Sequence, residues 1–214
     1  MTTNSPPILL RIDSSARTEG SHSRRLADQA RARWQAAFPN GRVLHRDLAA
    51  QPIGHIEAAT IQGFYTPADQ MTPALRAATA QSDALIAEIK AAHTLLISAP
   101  IYNFSVPSAL KAWIDQVVRI NQTFSFDSSG FKGLVTGPRA VLILAYGGAG
   151  YGDAMAGFDH LKPYLTSVLN FLGIADVRAV AAEATTADVD TVAQAMASAE
   201  RQIADLFAPA LVSQ

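Results

Sequence analysis

Apolar positions along the chain alternate between a strand-like and a helix-like period. Ile8, Leu9, Leu10 and Ile12 form a short branched run, closed by Asp13, that predicts a strand. A hydroxyl-crowded stretch from Ser14 to Ser23 follows. Leu26, Ala30, Trp34 and Phe38 then recur at helical spacing, with Ser21 or Ser23 placed to cap the helix start. Pro39, Asn40 and Gly41 stop that helix, and residues 42–47 predict a second strand. Strand, helix and strand in this order make a parallel crossover unit.

Residues 48–72 are broken up by Pro52, Gly54, Gly63 and Pro67, with a short helix expected over 56–62. Ala78, Ser82, Leu85, Ile86 and Ile89 restore the helical period, and residues 94–98 are a buried third strand. From Ser108 to Ile120, Leu110, Trp113, Ile114, Val117 and Val118 share one helix face. Asp115 and Arg119 are spaced there as an acid-first i,i+4 pair. Phe124 and Phe126 alternate ahead of turn residues 127–130, which predicts a small hairpin or a bulging excursion inside the long connection 121–137. Residues 139–145 and 174–182 are the fourth and fifth strands. A helix lies between them, with Pro163 in its first turn and Gly173 at its end, and a last helix carries Val189, Val192, Met196, Ile203 and Leu206. Five strands alternating with helices predict an α/β fold. The expected architecture is a doubly wound five-stranded parallel sheet of order 2-1-3-4-5, in one domain over residues 1–214.

Composition narrows the function. With 49% hydrophobic and 16% charged residues a sizeable core forms. A net charge of −1 gives no reason to expect nucleic acid or an acidic membrane as partner. The absence of cysteine excludes disulfides, thiolate catalysis and cysteine-ligated metals. No apolar run approaches the roughly 20 residues of a membrane helix, and residues 1–7 show neither a basic nor an apolar leader region. The expectation is a soluble cytoplasmic protein. The five histidines include no i,i+3 or i,i+4 pair, which speaks against a zinc site, and no G-x-S-x-G elbow supports a hydrolase. Arg24, Arg25, Arg31 and Arg33 read as the solvated face of the first helix.

The candidate chemistry sits in three loops at one end of the sheet, after strands one, three and four, where open α/β sheets bind ligands. The first loop offers Ser15, Ser21, His22 and Ser23 at a helix start, where free N–H groups and the helix dipole favour an anion. It matches neither the ATP P-loop nor the dinucleotide G-x-G-x-x-G pattern. A hydroxyl-rich loop without lysine suits the terminal phosphate of a mononucleotide; it equally describes an ordinary capped helix. The second loop, Pro100, Ile101, Tyr102, Asn103 and Phe104, offers apolar walls and an amide for a flat ring such as isoalloxazine, or else simple core packing. The third, Ala145 and Tyr146 followed by Gly147 and Gly148, lets the backbone approach a ligand closely, or merely turns.

Read together, these residues resemble the FMN-dependent NADH azoreductases and quinone oxidoreductases, homodimeric bacterial enzymes with a flavodoxin-like fold. The carriers are Ser14-Ser15 with Ser21-His22-Ser23, residues 100–104, Leu110-Lys111 with Phe124 and residues 133–137, and Gly147-Gly148. Residues 46–48, 165–173 and 174–177 extend the likeness over nearly the whole chain. The resemblance implies an FMN-dependent NAD(P)H oxidoreductase, with NADH or NADPH as donor. Quinones would be reduced by two electrons and aromatic azo compounds cleaved, by ping-pong transfer through FMN. It places the FMN phosphate on Ser15, Ser21, His22 and Ser23, the ring along residues 100–104, and its pyrimidine side on Ala145, Tyr146, Gly147 and Gly148. Phe126 and Phe171 fall at family positions near the substrate and the dimer interface. The family often has a serine or threonine and then a polar or basic residue where this chain has Ala145-Tyr146. The other functions compatible with the fold are a flavodoxin-like electron carrier and a non-redox interaction module.

Overall fold

The computed structural model describes residues 6–208, so the polar chain start read above as lacking a leader lies largely outside it. Five parallel strands form the central sheet: β1 (Ile8–Asp13), β2 (Arg42–Asp47), β3 (Thr94–Pro100), β6 (Arg139–Ala145) and β7 (Val177–Ala182). Their spatial order is β2-β1-β3-β6-β7. Counting only sheet strands, this is the expected 2-1-3-4-5. The other two strands, β4 (Phe124–Asp127) and β5 (Gly130–Gly133), pair as the separate antiparallel hairpin that the alternating phenylalanines predicted.

The two-residue period of the strands sorts side chains between two helical layers. Leu10, Ile12, Leu95 and Ile97 face one side. There they join the apolar stripes of α3 (Pro73–Ala91), α4 (Ser108–Val117) and α5 (Lys162–Leu172). Leu9, Leu96, Val141 and Ile143 face the other, against α1 (His22–Ala37) and α6 (Val189–Leu206). Each fully buried aliphatic side chain contributes about 1.5–3 kcal/mol. An exposed ion pair such as Lys111–Asp115 gives about 1 kcal/mol at most. The two apolar faces therefore hold the sheet. Trp34 is fully buried on the α1 side, and its indole N–H donates to Thr94 Oγ1 at 3.0 Å, so no donor is stranded.

Several boundaries differ from the sequence expectation for identifiable reasons. Helix α4 stops at Val117 rather than Ile120, because the Thr123 hydroxyl donates to the Val117 carbonyl at 2.6 Å and accepts from the Arg119 N–H at 3.0 Å. Arg119 thus lies beyond the helix and pairs with Asp83, while Asp115 pairs with Lys111; the predicted Asp115–Arg119 pair does not form. The fifth strand starts at Val177, since the Ile174 N–H closes the end of α5 on the Leu169 carbonyl. The short helix α2 runs over Ala58–Tyr65, starting two residues and ending three residues later than expected. Arg24 is not solvated: it is only 9% exposed, beneath the loop after β1.

The hairpin is seated by a close backbone approach. A Cβ on Gly133 would lie 2.3 Å from the amide nitrogen of Gly173, the residue with φ +104 that ends α5. The next residues lock the position, with Val135 N–H donating to the Leu172 carbonyl at 2.8 Å. Gly133→Ala must push the hairpin off α5. We expect a stability loss of about 1–3 kcal/mol, seen as a lower urea midpoint with an unchanged slope; an unchanged midpoint would refute this seat.

Candidate functional site

The carboxyl ends of the sheet strands open onto one cleft of ≈ 590 Å³ including its mouth. Its polar end is the loop after β1. Ser14 is consumed structurally: its N–H and hydroxyl both donate to the Ser98 carbonyl, at 3.0 and 2.8 Å. That anchor turns the following residues outward, and Ser15, Arg17, Gly20, Ser21, His22 and Ser23 all line the cleft. Gly20 sits at φ +65, a backbone conformation that glycine adopts without strain. Ser21 is the N-cap of α1, accepting from the Arg24 N–H at 3.4 Å, and its hydroxyl meets that of Ser23 at 3.2 Å. The N–H groups of the first helical turn have no partner within the helix and, with the dipole, form an anion-favouring end. Burial, reinforced by Arg25 and Arg17, lowers the His22 pKa and favours the neutral ring.

The apolar side comes from β3 and β6. Pro100, Ile101, Tyr102 and Ala145 line the cleft, with the Ile101 N–H held by the Ala145 carbonyl at 2.9 Å. Tyr102 and Ser105 then exchange two backbone hydrogen bonds of 3.0 Å around a tight turn. Its central residues, Asn103 and Phe104, have φ of 47 and 70. Asparagine tolerates this geometry, whereas an aromatic residue there carries strain of about 1–3 kcal/mol. The turn carries both residues away from the cleft. Asn103 faces a second depression beside Tyr102, Lys111 and Tyr164. Phe104 packs on Phe158 at 5.3 Å and accepts from the His160 N–H at 2.9 Å.

The third loop closes the cleft differently from the expectation. Gly147 lines it, but Tyr146 and Gly148 do not. The Tyr146 side chain is 1% exposed and its hydroxyl donates to Asp159 at 3.1 Å; the ring lies 4.6 Å from that of Tyr151. Burial, with Asp159 adding to it, pushes the phenol pKa far above its ordinary value. Tyr146 is thus a core tyrosine that ties the glycine loop to the start of α5, where Asp159 also accepts from the Leu161 and Lys162 N–H groups. The Tyr146 carbonyl accepts from the Thr185 N–H and hydroxyl, and the Gly147 carbonyl from the Thr186 hydroxyl at 2.9 Å. Thr185 and Thr186, beyond the end of β7, line the cleft as well. Sequence reasoning missed them together with Arg17 and Gly20. A hydroxyl pair beyond the last sheet strand was the available signal.

Phe126 and Phe171 join one aromatic cluster through Phe131, and neither lines the cleft. Phe124 lies 4.8 Å from Phe171, and Phe131 lies 4.7 Å from Phe126 and 5.5 Å from Phe171. Phe126 and Phe131 remain 60% and 66% exposed.

Beneath the polar end lies a charge cluster set by the strand period. Leu9, Arg11 and Asp13 share the α1 face of β1, so the apolar layer ends in ions at the strand's carboxyl end. Asp13 is 0% exposed. It accepts from the Ser98 hydroxyl at 2.6 Å, contacts His45 at 2.8 Å, and pairs with Arg11 at 2.8 Å and Arg24 at 3.7 Å. Arg24 grips both oxygens of Asp47 at 2.6 and 2.7 Å. This grip, with smaller help from the Ala49 and Ala50 N–H groups, holds the Asp47 carboxyl down at about 2.

A doubly wound sheet whose carboxyl edge forms an anion-favouring cleft with apolar walls defines a flavodoxin-like nucleotide-binding class. The chain belongs to the family described as having the flavodoxin-like fold, whose model matches residues 8–207. Within it, the chain belongs with a group of curated bacterial oxidoreductases. It is 61% identical over 171 residues to the FMN-dependent NADH:quinone oxidoreductase of Xanthobacter autotrophicus, covering 79% of this chain and 82% of that one. The protein of the same name from Azotobacter vinelandii is 41% identical over 92% of this chain and 98% of its own. Among solved structures, an azoreductase from Bacillus anthracis superposes with a TM-score of 0.86 at 22% identity, over 94% of this chain and 98% of that one, a likeness of fold.

The Asp47 pKa gives a signed expectation. A carboxyl depressed from 3.8 to about 2 contributes stability that is complete above about pH 4 and is lost as pH falls through 2. The share is on the order of 2 kcal/mol. Urea denaturation should show a wide gap between wild type and Asp47→Asn at pH 6 that narrows towards pH 2. A gap independent of pH would contradict the assignment.

Proposed function

We propose that this chain is an FMN-dependent NADH:quinone oxidoreductase that also cleaves aromatic azo compounds, with donor and acceptor exchanging at one cleft in ping-pong order. The observation that carries this reading is the convergence of the three strand-end loops on a single cleft, polar at the helix start and apolar along β3 and β6. The residues fit the cofactor named in the curated relatives. Ser15, Ser21, His22 and Ser23, with the first N–H groups of α1, would hold the phosphate. Pro100, Ile101 and Tyr102 would flank the ring, and Ala145 and Gly147 would approach it by backbone. Asn103 and Phe104 stand on the outer side of the same turn, Tyr146 is buried on Asp159 and Tyr151, and the Gly148 carbonyl accepts from the Ala184 N–H. Bound FMN supplies the two-electron redox chemistry.

The protein's own work is to orient and to exclude water. Tyr102 lines the cleft on one side and the neighbouring depression on the other, so it sets how far a planar substrate slides in. Thr185 and Thr186 pin the carbonyls of Tyr146 and Gly147, which fixes the opposite wall. No side chain lining the cleft is arranged as an acid–base pair. Donor and acceptor sharing this one cleft would enter in turn, which is why we assign a ping-pong order.

The exposed rings of Phe126 and Phe131, with Phe124 and Phe171, form the surface we assign to a homodimer contact. No helix among the described residues is long and apolar enough to cross a membrane. We place the protein, acting as one domain, in the cytoplasm, in keeping with a chain that has no cysteine.

Purified protein should be yellow, or become so with FMN, and should oxidise NADH with benzoquinone along parallel double-reciprocal lines. A colourless protein that takes up no FMN would refute the reading; intersecting lines would refute the shared mouth. Light scattering should report a dimer at micromolar concentration, and Phe131→Glu should yield a monomer. A wild-type monomer would remove the assigned contact.

A further inference from the structure

Arg24 is a buried cation that reaches from the first turn of α1 under the loop that follows β1. Its Nη2 donates to the Ser15 carbonyl at 2.8 Å, and its two terminal nitrogens clasp Asp47 at the end of β2. Asp47 is itself fixed by the Ala49 and Ala50 N–H groups at 3.0 and 3.3 Å. Arg24 does not line the cleft; it acts from below. Holding the Ser15 carbonyl downward fixes that peptide and keeps its oxygen, an anion-repelling group, out of the polar end. Its charge also offsets Asp47 and, at 3.7 Å, Asp13, two carboxylates that would otherwise face an anion from beneath.

We propose that Arg24 is a positioning residue for the phosphate end of the cleft: it sets Ser15 through its carbonyl and cancels the carboxylates below. The inference rests on the FMN reading. Its geometry needs a planar fork that serves a carboxylate and a carbonyl together, which a lysine ammonium cannot reproduce.

The test compares FMN with riboflavin, which lacks the phosphate, by fluorescence titration of the apoprotein. The ratio of the two dissociation constants isolates the phosphate end. A role in overall folding would weaken both ligands alike. In wild type the ratio should be about 100 or more, the worth of a few charge-assisted hydrogen bonds. Arg24→Lys should cut it several-fold, and Arg24→Gln about tenfold, with riboflavin affinity nearly unchanged. Gly41→Ala, whose Cβ would press on the Trp34 ring at 2.4 Å, destabilises the same helix far from the loop and should leave the ratio intact. Should Arg24→Gln not fold, Arg24→Lys decides. A large wild-type ratio that survives in a folded Arg24 variant overturns the role of Arg24 alone. A wild-type ratio near one, with both ligands bound, overturns the phosphate seat itself. Failure to bind either flavin overturns the FMN reading.

Discussion

The buried carboxylate of Asp13 is the constraint around which the functional end of the fold is assembled. It sits at the last residue of the inner strand β1 with no exposure to water. A charge in that position is tolerated only when paired and hydrogen-bonded. Four elements answer it: Arg11 from β1, Arg24 from α1, His45 from β2 and the Ser98 hydroxyl from β3. Removing one partner of such a cluster costs several kcal/mol, because the charge left behind stays buried. The cluster therefore sets the register between the sheet and α1 where the apolar layer ends.

Fixing that register also fixes the ligand end. With Ser14 held on the Ser98 carbonyl, the loop turns outward and offers Ser15, Ser21, His22 and Ser23 beside the free N–H groups of α1. The neighbouring strands bring Pro100, Ile101 and Ala145 to the same cleft because all five strands run parallel. Polar chemistry at one end and apolar walls at the other follow from where two strand faces run out of apolar residues. At the rim, Asn103 and Phe104 take positive φ where the chain must reverse sharply before α4.

Much of this was legible in the sequence, and the reasons differ by element. β1, β2 and β6 appear at their predicted bounds because Pro, Gly and charged residues punctuate them on both sides. The hairpin was visible as alternating Phe124 and Phe126 before a turn cluster. The loop after β1 was legible as a hydroxyl-rich helix start because such caps have a local physical meaning, and the structure brings its Ser15, Ser21, His22 and Ser23 to the cleft. Tertiary effects were not legible. Nothing in the spacing of Arg24, Arg25, Arg31 and Arg33 shows that the first of them is buried under a loop by Asp47. Tyr146 looked like a loop residue, since its partner Asp159 lies thirteen positions away in another element. Asp115 and Arg119 had ideal helical spacing, yet Thr123 ends the helix before the pair can form.

The central claim is that one cleft, built on the β1 and β3 loops, holds the whole cofactor in a single orientation. X-ray density from crystals grown with FMN tests it most directly. The predicted result is phosphate density among Ser15, Ser21, His22 and Ser23, with ring density along Pro100, Ile101 and Tyr102. Phosphate density outside the β1 loop, or a ring in the depression beside Asn103 and Lys111, would contradict it.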